Sequence, residues 1–365
     1  MPNPPLARSK LIEVALLIEK HGSVQGAAKE NAERLGINAS SFESRAKMAK
    51  HAGLWDWNDR RIPFATDAAK RDAGVPTAPA LPDDDIAPRD LVSMLRKRFT
   101  KRKANADARL WRRFDVPVTG PYGLMLWGDP HLDDNGCDWN LVTLHAELCA
   151  KNKHIYSVNI GDTTNNWAGA LVKLWANQDT SSSTARKLVK WFLNDSGIKW
   201  FLWLQGNHDL WPGPVGGETL ERFKPAHVAL EDWGAKVTLV SPGGSEFRLH
   251  ASHDFPGHSQ WNPLHGPQKS ALMGDQAHLY AAGHKHNWAL YQSEHEHRKS
   301  VYWLARSRGY KAIDDYATLH GYGSQDHGHS IMAVVDPGSE GPSHVQCFAD
   351  PIEGADYLAF KRRRA

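Results

Sequence analysis

The sequence predicts an α/β protein with a small all-α segment in front, and three observations predict it. From residue 119 onward, short apolar runs recur between glycines and polar turns: Leu124–Trp127, Ile155–Ile160, Trp200–Leu204, Phe247–Ala251 and Leu279–Ala282. Their length and near-continuous apolarity are those of strands buried on both faces. Residues 8–53 instead place Leu11, Ile12, Ala15, Leu16 and Ile18 at helical spacing. Strand-like stretches are followed by four runs of Asp, Asn and His on glycine-containing turns. These are Gly128-Asp129-Pro130-His131, Gly161-Asp162-Thr163-Thr164-Asn165, Gly206-Asn207-His208-Asp209 and Gly283-His284-Lys285-His286.

The elements follow in order. His21-Gly22-Ser23 ends the first helix, and Ser23 can cap a second that runs through Ala27, Ala28 and Ala32 to Leu35. Gly36 permits a tight turn, Ile37 fills the core, and Asn38 or Ser40 can cap a third helix carrying Ser41, Phe42, Arg45, Lys47 and Lys50. This first domain is expected over residues 1–54. Residues 55–118 read as a Pro-rich linker followed by a basic helix. The linker holds Pro63, Pro76, Pro79, Pro82 and Pro88, and the helix, over 89–113, carries ten Lys or Arg against two Asp. Arg96, Lys97, Arg98, Lys101, Arg102 and Lys103 fall on consecutive turns. That density can neutralise several phosphates; the alternative is a solvated helix packed through Leu91, Leu95 and Phe99. The α/β domain is expected over 119–340, with further strands at Val237–Val240, Val301–Leu304 and Ile331–Val335 and a helix at Trp139–Ala150. Residues 341–365 read as an extension with a basic tail.

Charge is uneven along the chain. Residues 1–118 hold 22 Lys or Arg against 15 Asp or Glu, and the remainder holds 22 against 26. A basic front suggests an anionic partner. No run of about 18 apolar residues is present, which argues against a membrane span. The three cysteines are irregularly spaced and the first residues carry no signal pattern, so a reducing cytosol is expected. Core packing is the expected use for most of the 15 tryptophans.

Oxygen and imidazole donors in one set suit borderline divalent metals such as Mn, Fe or Zn, with Ni a further candidate. Seven or eight such donors are too many for one tetrahedral ion and suit two ions sharing a carboxylate. All four motifs lie where strands end, the edge at which open α/β sheets bind ligands.

Together the motifs resemble the full pattern of the calcineurin-like metallophosphoesterase superfamily over residues 119–335. The resemblance implies a four-layer α/β/β/α sandwich with a dinuclear site at the sheet edge. It implies that Asp129, His131 and His286 hold one ion, that Asn207, His253 and His284 hold the other, and that Asp162 bridges them. For the lone histidine, His253 is expected because Ser252-His253-Asp254 begins the loop after a strand; His250 is the alternative, and His258 a more distant one. By the same resemblance, hydroxide attacks phosphorus in line, His208 stabilises the transition state or protonates the leaving oxygen, Asp209 orients the His208 imidazole, and Asn165 supports the site. Arg306, Arg308 and Lys311 are candidates to meet a phosphate, and Trp167 and Trp211 to shape the cleft.

Ala32-x-x-Leu35-Gly36-Ile37-Asn38-x-Ser40-Ser41-Phe42-x-x-Arg45 resembles the helix-turn-helix of DNA-binding proteins, with Ser41, Arg45 and Lys47 on the third helix. The combination is similar to proteins of bacteriophage genomes and to the SbcD-type nuclease branch, which would place it in the host-cell cytoplasm. The function expected is thus a DNA-directed phosphodiesterase using two divalent ions, Mn foremost. Two alternatives stand: a phosphomonoesterase with a docking front domain, and a DNA-binding regulator with a non-catalytic metal domain. Oligomeric state is not legible in the sequence.

Overall fold

The computed structural model describes residues 7–54, 85–216, 218–314, 317–318 and 325–365. It divides into two compact units, Met1–Pro88 and Arg89–Ala365. The expected linker prolines at 63, 76, 79 and 82 lie outside the described residues.

The first unit holds three helices, α1 (Arg8–His21), α2 (Val24–Asn31) and α3 (Ala39–His51). Val14, Ile18, Ala27, Ala28, Phe42 and Ala46 form its core. Ser23 Oγ accepts the Gly26 N–H at 3.0 Å and caps α2. Asn38, rather than Ser40, caps α3, its Oδ1 accepting the Ser41 N–H at 2.8 Å. α2 ends at Asn31, short of the expected Leu35. Residues 32–36 continue as turns, with Gly36 at φ 63°. On α3, Lys47 is exposed, and Ser41 and Arg45 are half-buried.

The second unit is a sandwich of two six-stranded sheets. One has the order β1 (Arg112–Asp115), β6 (Gly234–Val240), β7 (Glu246–Ser252), β8 (Leu279–Ala282), β10 (Ser300–Arg306), β9 (Ala289–His295). The other runs β12 (Val345–Phe348), β11 (Ser330–Val335), β2 (Tyr122–Trp127), β3 (Ile155–Asn159), β4 (Trp200–Gln205), β5 (Ala229–Asp232). The side-chain period of two explains the layers. Leu124 and Leu126 face Phe247, Leu249 and Ala251 between the sheets. Met125 and Trp127 point the other way, into a second core beneath α5 (Trp139–Lys151), α6 (Ser182–Lys190) and α8 (Pro351–Arg362). On the opposite outer face, Tyr280, Tyr302 and Leu304 pack with Leu264 and Ala271, the latter on α7 (His265–Met273). The four-layer α/β/β/α architecture is therefore the one expected.

The domain edges differ from expectation. β1 lies in the stretch read as linker and helix, yet it pairs in parallel with β6. Residues 341–365 are not an appendage: β12 pairs with β11, and Ala355 and Leu358 of α8 are buried in the second core. The basic helix, α4 (Pro88–Arg109), buries none of its residues, so Arg96, Lys97, Arg98, Lys101, Arg102 and Lys103 are all exposed. Leu91, Leu95 and Phe99 are exposed too, which sets aside the packing alternative for this helix. Among the described residues, no helix is long and apolar enough to cross a membrane.

Candidate metal centre

β2, β3 and β4 run parallel, as do β7 and β8, so each group of strands delivers its C-terminal loops to one edge. Backbone hydrogen bonds tie the loops together: His131 N–H donates to Asp162 O at 3.1 Å, and Gly283 N–H to His253 O at 3.0 Å. The backbone is strained where the expected donors sit. Asp129, His131, Asp162, His284 and His286 have φ of 33°, 43°, 52°, 70° and 47°. Left-handed φ outside glycine costs on the order of 1–3 kcal/mol and persists where surrounding structure forces it, commonly at functional sites. Gly206 allows a close approach between two motif loops, since a Cβ there would collide with an Asp162 carboxylate oxygen.

The donors converge in overlapping groups. Asp129, His131 and His286 form one, Asp162, His253 and His284 a second, and His131, Asp162 and His208 a third that links them; within each group the donor atoms lie within 4.8 Å of one another. Around His253 Nε2 stand Asn207 Oδ1 at 3.1 Å, His284 Nδ1 at 3.1 Å and Asp162 Oδ2 at 3.2 Å. His131 Nε2 and His286 Nε2 face each other at 3.1 Å. Metal–nitrogen bonds of about 2.0–2.1 Å put neighbouring donors at roughly this spacing. His253 Nδ1 lies 2.9 Å from the Ile160 carbonyl; donating there, it turns Nε2 toward the other donors. Asp129 Oδ1 is buried with no hydrogen-bond partner. An orphaned carboxylate oxygen amid facing imidazole nitrogens is a donor set that fits divalent cations.

Electrostatics agree with this fit. Burial pushes the Asp129 carboxyl up to about 6, against the pull of His253. Burial alone would lower the His253 pKa, but the Asp162 carboxylate overrides it and raises it to about 9, so this spot favours positive charge. Burial holds His131 well below the usual imidazole range and His284 at about 4, both neutral and suited to ligation.

All seven expected ligands are thus brought together, and His253 stands where the lone histidine was expected. His250 is on the outer face of β7, its ring 4.8 Å from that of Phe255, and His258 is exposed. Asp209 requires a correction. Its carboxylate accepts the N–H groups of Gly206 at 3.0 Å and Thr163 at 3.2 Å, bracing two motif loops rather than the His208 ring. His208 Nδ1 is instead held by the Asn165 carbonyl at 2.8 Å. Asn165 is fixed in turn by Asp133 Oδ1, which accepts its N–H at 2.6 Å, and by Asp134 Oδ2, which accepts from its side chain at 2.6 Å.

Arg306 is also unlike its expectation. Fully buried, it donates to Asp254 Oδ1 at 2.8 Å, to Pro263 O at 2.8 Å and to Gly283 O, clamping the loops that carry His253 and His284. Lys311 is occupied by Asp134 at 3.1 Å and Asp314 at 3.0 Å. Asp314 in turn lies 3.4 Å from His286 Nδ1. It escaped sequence reasoning because it stands 28 positions past His286, in no motif. Trp167 is buried, whereas Trp211 is exposed with its ring 4.9 Å from that of His208.

No protein-family model matches the sequence. No curated protein matches it either. Among solved structures, the chain is similar to a conserved uncharacterized protein, a predicted phosphoesterase, from Streptococcus pneumoniae TIGR4. Identity is 11%, with 64% of this chain and 100% of that one covered, at a TM-score of 0.29. It is also similar to the NAD nucleotidase of Haemophilus influenzae. There identity is 10%, with 62% of this chain and 49% of that one covered, at a TM-score of 0.34. The match thus spans about half of the nucleotidase. Both scores lie below 0.5, so the fold assignment rests on this chain's own layers and strand order.

Proposed function

We propose that the chain is a phosphoester hydrolase that works with two divalent cations and acts on nucleic acid. The observation that carries the reading is the pair of donor groups, Asp129–His131–His286 and Asp162–His253–His284, linked through His131, Asp162 and His208. In this reading Asp129, His131 and His286 would hold one ion, Asn207, His253 and His284 would hold the other, and Asp162 would serve both. Two divalent cations, Mn foremost, supply Lewis acidity toward phosphoryl oxygens and lower the pKa of a water. The chain's own contribution is positional. With Nδ1 donating to the Asn165 carbonyl, the His208 ring presents Nε2 toward the centre, 3.7 Å from Asp162 Oδ2. There it can donate to a phosphoryl or leaving oxygen. Asp209 and Arg306 hold the loops on which these groups ride.

The nucleic-acid assignment is supported by the exposed cations of α4 and by Ser41, Arg45 and Lys47 on α3. The test compares Mn-loaded protein on DNA, a phosphodiester model and a phosphomonoester model, with His208→Ala as control. Cleavage of DNA and diester, lost in the variant, is expected. Hydrolysis of the monoester alone would instead favour a phosphatase with a docking front. Replacing Arg96, Lys97, Arg98, Lys101, Arg102 and Lys103 with Gln should make the salt slope of DNA binding shallower, by about 0.9 for each phosphate that the helix neutralises. An unchanged slope would remove α4 from the interface.

A further inference from the structure

Of the tryptophans among the described residues, only Trp211, Trp233 and Trp261 are exposed, at 41%, 39% and 91%. All three belong to segments at the ligand-bearing edge. Trp211 follows Asn207 by four residues, and Trp261 lies on the loop after His253. The backbone of Trp233 donates to Gln205 O at 3.0 Å and accepts the His253 N–H at 2.7 Å. Leaving indoles in water forgoes burial that Trp127, Trp200 and Trp203 obtain.

Two of these rings lie against the centre. Trp211 sits beside His208, the ring planes 41° apart. Trp233 has its ring 5.1 Å from that of His253 and 6.1 Å from that of His284. Its Nε1–H donates to the Asp254 carbonyl at 3.0 Å, so the indole cannot swing freely. Its φ is 58°, a conformation a bulky side chain seldom adopts. A cavity of about 1020 Å³ opens beside Trp211 and is lined also by Arg186, Arg222 and Phe223, with Asp209 and Glu221 in the same lining. Both arginines are exposed. Aromatic faces combined with cations along a groove are how single-stranded nucleic acid is bound without sequence preference.

We propose that Trp211 and Trp233 are stacking platforms for unpaired nucleobases next to the phosphate under attack, with the strand continuing past Arg186 and Arg222. The substrate would then be single-stranded nucleic acid or an unpaired end. This rests on the phosphoesterase reading above and narrows its substrate class. A fluorescent phosphorothioate oligodeoxythymidylate, which resists cleavage, tests it by anisotropy with Mn-loaded protein. Trp211→Ala and Trp233→Ala should each weaken binding about 5- to 150-fold, the usual scale of base–aromatic stacking. The Phe variants should recover most of that loss, and blunt duplex of the same length should lose much less. Unchanged oligonucleotide binding by both Ala variants, or equal losses for single strand and duplex, would overturn the platforms. So would a loss confined to thymidine monophosphate, which would leave a nucleotide pocket instead of a strand site. Wild-type protein that cleaves DNA while the Ala variants bind normally sinks this inference alone. Wild-type protein that cleaves no phosphodiester sinks the reading beneath it.

Discussion

The Asp129 carboxylate accepts the His284 backbone N–H at 2.8 Å through one oxygen and leaves the other buried without a partner. Asp162 divides its oxygens in the same way: Oδ1 accepts the His208 N–H at 3.0 Å, and Oδ2 faces His253 Nε2 at 3.2 Å. Each carboxylate thus fixes a distant loop and still offers an oxygen to the centre. Asp129→Asn can keep the first task and cannot supply charge for the second. Mn affinity by titration calorimetry should fall by at least 10–100-fold, the loss typical of perturbing even supporting groups. The metal-free melting temperature should hold or rise, because a carboxylate that burial pushes up to about 6 is no longer forced to ionise. Unaltered Mn affinity would remove Asp129 from the ligand set.

Asp314 stands behind His286, with Lys311 bridging it to Asp134. A carboxylate on the far nitrogen of a ligating imidazole fixes its tautomer and raises its basicity. Asp314→Asn should lower metal affinity about 10–100-fold, and Asp314→Glu should recover part of it. Equal affinities for wild type and Asp314→Asn would reduce Asp314 to a loop tether.

His208 and Asn207 are adjacent, yet their variants should separate cleanly. Loss of His208 should cut kcat by about 10²–10⁴-fold, the usual range for a proton-transfer group, while Mn stoichiometry stays as in wild type. Asn207→Ala should reduce metal binding itself, since Asn207 Oδ1 is 3.1 Å from His253 Nε2. The two titrations compared side by side decide the roles.

Away from the centre, burial holds His145 and His278 at about 4. In the unfolded chain each protonates near about 6.5. Above that pH both states are neutral and stability is full. As pH falls from about 6.5 to about 4 the unfolded state takes the proton first, so stability drops, by at most about 3.4 kcal/mol per group. His278 Nδ1 accepts the Arg248 N–H at 3.0 Å, a role that Asn Oδ1 can copy. Denaturant melts across this window should show a shallower pH slope for His278→Asn than for wild type. Identical slopes would contradict the buried neutral state.

Much of the sandwich was legible because its central strands are buried on both faces; β2 and β11 bury every residue and read as unbroken apolar runs. The edge strands β5 and β12 bury only alternate residues, β9 buries only His295, and the three carry Glu231, Gln346 and Glu294, so their runs do not stand out. α8 was hidden by its basic end, although Ala355 and Leu358 anchor it. Six of the seven expected donors were legible because each lies in a compact motif at a strand end, whereas His253 stands alone after β7. What orients them was not. The Asn165 carbonyl that holds His208 is backbone and leaves no mark in a side-chain pattern. Asp209 looked like a partner for His208 by adjacency, but its short helix turns the carboxylate back onto the Gly206 and Thr163 amides. Trp233 precedes β6 with no motif around it and reaches His253 only through the fold.

If these loops build one centre for two ions, the ions can be counted. Metal-free protein titrated with Mn in a calorimeter, alongside His286→Ala and His253→Ala, gives that count. Two ions per chain are expected in wild type and about one in each variant. A wild-type stoichiometry of one or none, or two ions retained in both variants, would contradict the shared centre.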